Sequence, residues 1–252
     1  MSPDVAPPLE TEPKPMNEFS RILGIFFEPQ KTFADIAERP RWLVPLLLVI
    51  LSGIAYIYAF GAHVGWAAYL HRLLDNNPSM QRIPAEQRQR IFDMQVRFAS
   101  VGGVVNVAIG TVLMFLVGGG IAMGIIKGLL GVPIRFKQAF CVFCYAALPL
   151  LIYRALSIAV VFLKNPEDVD PINPFMSNFG ALMDPDKSSK FLSSFATSLD
   201  LFSLWVLLLA ATGLKAAGGK RLSFGGALFA VALPWAVWVL LRGALSSLGM
   251  MG

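Results

Sequence analysis

The chain has 252 residues, 56% of them hydrophobic and only 15% charged, with a formal net charge of +5. Ordinary globular domains carry about 25% charged residues, so this composition excludes a water-soluble domain of the usual kind. The positive balance calls for no nucleic-acid partner, since basic residues flanking membrane spans account for it.

Residues 1–16 (MSPDVAPPLETEPKPM) hold five prolines and no periodic apolar face, which predicts a disordered tail. Residues 17–41 predict an amphipathic lead of two short helices, 17–27 and 29–37. Asn17 suits the cap of the first, in which Phe19, Ile22, Leu23 and Phe26 recur at 3–4 spacing. Pro29 suits the first turn of the second, where Phe33 and Ile36 share a side. Neither helix is long enough to span, and each has an apolar and a charged face. Both are therefore expected in the headgroup layer, with Phe26, Phe33 and Trp42 as interfacial anchors.

Residues 42–247 predict five membrane spans, at 42–61, 100–126, 139–163, 194–214 and 223–243. Trp42–Leu70 and Phe98–Ile126 each run 29 residues without Asp, Glu, Lys or Arg, and about 20 apolar residues cross a hydrocarbon layer of roughly 30 Å. The first run lies too far from the N-terminus, and is too long, for a signal peptide. Pro84 begins a helix that carries Ile91, Met94, Phe98, Val101 and Val105 at 3–4 spacing into the second span. The fourth span reaches membrane thickness only with Asp200 inside it. The segments 127–138 and 215–223 are basic and free of acids, whereas 164–193 is acidic, so the N-terminus is expected in the cytoplasm. The fold class is thus all-α: a polytopic integral membrane protein with five transmembrane helices.

Arg154 and Asp200 lie ten residues from Lys164 and Lys190 respectively, about 15 Å into their helices. Charges at such depth are costly and are usually paired, which predicts an intramembrane pair between spans three and four. Gly120, Gly124 and Gly128 form a stripe that lets another helix approach closely. A helix of the same chain is its expected partner, and a second copy of the chain is the alternative. Cys141 and Cys144 fall in an apolar helix and read as packing residues, and His63 and His71 read as interfacial. The Ala-Leu-Pro of span three recurs in span five, a weak internal echo. No metal-ligand, phosphate-loop or nucleophile motif occurs, so neither a cofactor nor catalysis is expected.

Phe19–Leu48 (FSRILGIFFEPQKTFADIAERPRWLVPLLL) combines an amphipathic lead, a Pro-x-x-x-Phe turn, a charged stretch, a proline, an aromatic and a first span. It resembles bacterial members of the Yip-domain family, the Ypt/Rab-interacting membrane proteins. Ala139–Leu151 (AFCVFCYAALPLL) resembles the family's Tyr-Ala-x-x-Pro segment. The eukaryotic Asp-Leu-Tyr-Gly-Pro signature is not present, so Rab binding is not implied. The resemblance implies a non-enzymatic protein of the bacterial inner membrane with a membrane-organising or adaptor role. Its partners would be the lipid bilayer and a membrane or cytoplasmic protein. The alternative is a small transporter or channel whose path passes Arg154, Asp200 and Asn106.

Overall fold

The computed structural model describes residues 15–75, 80, 83–171, 173–175, 177–183 and 189–247. The expected tail lies outside these residues, apart from Pro15 and Met16. Among the described residues there are helices and no strands, and five helices are long and apolar enough to cross a membrane. These are span one (Leu43–His63), span two (Gly103–Gly128), span three (Phe136–Leu163), span four (Leu201–Arg221) and span five (Phe224–Ser247). Two lead helices precede them, α1 (Glu18–Phe27) and α2 (Pro29–Glu38). The chain is an all-α polytopic membrane protein.

Local chemistry explains where these helices start and stop. The Asn17 side chain accepts from the Ser20 amide at 2.8 Å and caps α1, and Pro29 opens α2 where no amide donor is needed. Pro84 precedes the helix Ala85–Arg97, which continues through π-helical turns at Phe98–Gly102 and Asn106–Gly110 into Thr111–Gly128. Span three breaks at Ala147–Leu148. Pro149 has no amide to give the Tyr145 carbonyl, and the Leu148 amide takes that acceptor instead at 3.1 Å. Pro234 lies inside the unbroken span five, so the two Ala-Leu-Pro segments differ in shape.

Span four differs from its predicted position. Residues Lys190–Ser198 form a separate helix against span five, and the span itself begins only at Leu201. Asp200 is its cap, accepting from the amides of Phe202 at 2.9 Å and Ser203 at 3.1 Å and from the Ser203 hydroxyl. The α-helix then runs to Gly218 and stops at Gly219, whose φ of +61° suits glycine. Asp200 is therefore at the end of an apolar helix and not within it.

Three apolar clusters among the described residues hold the bundle. The largest joins Ile25, Phe33 and Ile36 of the lead to Ala139, Val142 and Tyr145 of span three, Ala211 and Leu214 of span four, and Ala227 and Ala230 of span five. Val132 and Ile134 from one basic loop and Leu222 from the other belong to the same cluster. The lead and both basic loops thus share one end of the bundle. A second cluster joins Leu46 and Val49, Phe115, and Phe140 and Cys144 from spans one to three. The third, at the opposite end, gathers Tyr56, Phe60, Val64, Val161 and Val169. Outward faces carry exposed Leu47, Leu51, Leu113, Val117, Val237 and Leu241, as expected where the surrounding solvent is lipid.

Candidate functional site at the lead-helix dock

The most polar buried feature lies where the lead meets span three. Arg21, at the centre of α1, is only 1% exposed. Its Nε donates to Asp35 Oδ2 of α2 at 2.6 Å, and Nη2 lies at the same distance from that oxygen. Nη1 lies 3.4 Å from Glu18 Oε1, and the other Glu18 oxygen accepts from the Tyr145 hydroxyl at 2.6 Å. The Met16 amide donates to Asp35 Oδ1 at 3.2 Å. Burial opposes the Arg21 charge, but the hydrogen bond to Asp35 and the charge of that carboxylate outweigh it and hold the guanidinium above the ordinary arginine value. A charge withdrawn from water needs such partners, and here they come from α1, α2 and span three together.

Backbone contacts extend the lock. Gln138 Nε2 donates to the Ala37 carbonyl at 2.8 Å, and Cys141 Sγ to the Arg41 carbonyl at 3.3 Å. Where α1 crosses α2, Gly24 leaves room for the Thr32 hydroxyl. Where Phe33 meets span four, a Cβ on Gly213 would come within 2.7 Å of its ring and 2.5 Å of Val142. The lead is therefore fitted onto the bundle by shape as well as by charge.

These contacts correct the expected anchors. Phe33 is fully buried, and Phe26 packs edge-on against Trp205 at 5.8 Å between centroids. Both face the protein and not headgroups, because the Arg21–Asp35 pair turns this side of the lead inward. Trp42 meets Phe140 edge-on at 5.6 Å and is 36% exposed. The outward stripe of α1 is instead Phe19, Leu23 and Phe27, which are 69%, 43% and 81% exposed.

The expected Arg154–Asp200 pair is not among the ion pairs of the described residues. Asp200 spends its oxygens on the cap, while the Arg154 guanidinium lies over the rings of Tyr56 at 5.3 Å and Tyr153 at 5.5 Å. Tyr153 also meets Phe202 edge-on at 5.3 Å, so both residues border one aromatic cluster. The glycine stripe receives no closely packed helix from within the chain. Gly124 and Gly128 have nothing within 4 Å of an added Cβ, and Gly120 has only the Phe136 ring at 3.9 Å. The close approach falls on Gly119, whose Cβ would lie 3.2 Å from the Phe140 amide nitrogen, and on Gly118 against the Phe143 ring.

Sequence reasoning missed Glu18, Arg21 and Asp35, since each reads as an exposed charge on an amphipathic helix. Tyr145 was visible only through the Tyr-Ala-x-x-Pro segment. Among the described residues, no group of three His, Cys, Asp or Glu side chains is placed to hold a metal ion. The family model of the Yip1 domain matches residues 23–245, most of the chain and all five spans up to their last residues. No curated protein and no solved structure matches it.

Proposed function

The chain belongs to the Yip1 domain family, and we propose from this that it is a non-enzymatic adaptor or membrane-organising protein. It would sit in a bacterial inner membrane with its N-terminus in the cytoplasm. The orientation is supported by the two acid-free basic loops, which share the end of the bundle where the lead docks. At that end a protein partner meets the lead, and anionic headgroups meet Lys127, Lys137, Lys215, Lys220 and Arg221.

One observation carries the adaptor reading. The Arg21 lock fixes α1 so that one of its two apolar stripes, Phe19, Leu23 and Phe27, faces away from the bundle. A helix serving only to seal the fold would bury that stripe. Photo-crosslinking residues placed at Phe19 or Phe27 are expected to capture a protein in cells, whereas a probe at buried Phe33 captures none. The adaptor reading fails if probes at Phe19 and Phe27 form adducts with lipid alone. Orientation is tested separately, by cysteines placed at Gly131 and Lys220 and labelled with a membrane-impermeant reagent. Both should react only after the cytoplasmic face is opened, and labelling from opposite faces would overturn the arrangement.

A further inference from the structure

We propose that the cleft between the start of span one and the start of span three binds one anionic phospholipid. Its phosphate lies between Arg41 and Lys137, and its acyl chains run down the outer face of span one. The proposal deepens the headgroup contact proposed for this end of the bundle and rests on that reading.

The cleft has a volume of about 460 Å³ and is lined by Glu18, Arg41, Trp42, Leu43, Val44 and Lys137 among others. Ligand sites commonly enclose about 300–1,000 Å³, so a phosphoglycerol headgroup fits here and two acyl chains do not. The chains have a place outside it: Leu43, Val44, Leu47 and Leu51 are all exposed and lie on one side of span one. This ridge begins inside the cleft and continues along the transmembrane helix.

Charge in the cleft is positive and largely unspent. Among the described residues Lys137 has no ion pair or hydrogen bond through its side chain. Among the described residues the Arg41 guanidinium pairs with Glu18 alone, at 3.7 Å, and its side chain is 68% exposed. Glu18 keeps its charge but shares it with Arg21 and Arg41, and the three cations Arg21, Arg41 and Lys137 exceed the two acids Glu18 and Asp35 by one. Trp42 completes the site, with an amphipathic ring braced on Phe140 at the apolar boundary. Two cations beside a tryptophan, open to an apolar ridge, match a phosphate that carries a hydrocarbon tail. A free phosphate ion would use the cations and leave the ridge uncovered.

The test is native mass spectrometry of the full chain extracted from vesicles of phosphatidylcholine containing a minority of phosphatidylglycerol. One phosphatidylglycerol per chain is expected to remain bound in preference to phosphatidylcholine. Arg41→Gln with Lys137→Gln should weaken retention roughly thirtyfold, the effect of removing two basic groups from a headgroup. The charge-matched control Arg88→Gln with Lys190→Gln, two exposed cations at the other end of the bundle, should retain the lipid, as should Arg41→Lys with Lys137→Arg. Millimolar inorganic phosphate should not displace it. Any one of four results overturns the proposal: equal retention of the two lipids by the unaltered chain, unchanged retention in the double glutamine variant, equal loss in the control, or displacement by phosphate. Should the glutamine variant fail to fold, headgroup preference and the Arg41→Lys, Lys137→Arg variant still decide. Lipid lost while capture at Phe27 persists would leave the adaptor reading standing. Capture lost while lipid is retained would do the reverse.

Discussion

Arg21 shows how one side chain sets the orientation of a helix. α1 has apolar residues on two faces, Phe19–Leu23–Phe27 and Ile22–Ile25–Phe26, and hydrophobicity alone does not choose between them. The ion pair with Asp35 and the Tyr145–Glu18 hydrogen bond make the choice. Its pKa is raised, so its contribution is present at every pH below the unfolded arginine value and is lost only as pH rises through the folded one. No ordinary alkaline condition therefore discharges the lock. Asp35→Ala leaves the guanidinium buried without its main partner and is expected to cost about 3–5 kcal/mol. Denaturant titration in mild detergent checks this. Pairing Asp35→Leu with Arg21→Met should restore much of the loss, because an apolar pair of similar volume carries no desolvation cost. If Asp35→Ala were neutral, the lock would contribute nothing. None of this was legible in the sequence, where Arg21 and Asp35 look like ordinary members of a solvated face.

At the scale of elements, Asp200 marks the difference between a charge in a span and a charge at its end. The sequence places an acid next to a short uncharged run, and that pattern fits both. Capping decides it: the carboxylate meets two amides and a hydroxyl, and the span gains its length on the far side, through Lys215 to Gly218. Asp200→Ala should cost about 0.5–2 kcal/mol, while Asp200→Asn, an equally good cap, should cost little. Thermal unfolding together with amide exchange at Phe202 and Ser203 reads both effects. Equal losses in the two variants would point to a required charge, and so to a pairing role. The glycines of span two carry a parallel lesson. Periodicity shows which residues share a side but not what stands opposite, and the chain sets Phe140 and Phe143 against Gly119 and Gly118. Gly119→Leu is expected to destabilise the bundle by more than about 2 kcal/mol through overpacking, whereas Gly124→Leu stays within about 0.5 kcal/mol. Comparable losses at both positions would restore the longer stripe as a packing face.

At the scale of the whole molecule, the spans were the most legible feature. Uncharged runs of 29 residues have few alternatives in water, and four of the five spans fall where composition puts them, give or take a turn. The continuous helix from Pro84 into span two was also readable, from its 3–4 spacing. Docking of the lead was not, because an amphipathic face has the same sequence whether it covers lipid or protein. The resulting molecule is a five-span bundle with a fitted cap at the end that carries both basic loops. The central claim, that this cap is locked to the bundle by Arg21, Asp35, Glu18 and Tyr145, is tested most directly by hydrogen exchange in lipid nanodiscs. Amides of α1 and α2 should exchange nearly as slowly as those of span three, and Tyr145→Phe should speed exchange in the lead while leaving span four unchanged. A lead that exchanges as fast as a free surface helix, with the same rate in the intact chain and in Tyr145→Phe, would contradict it.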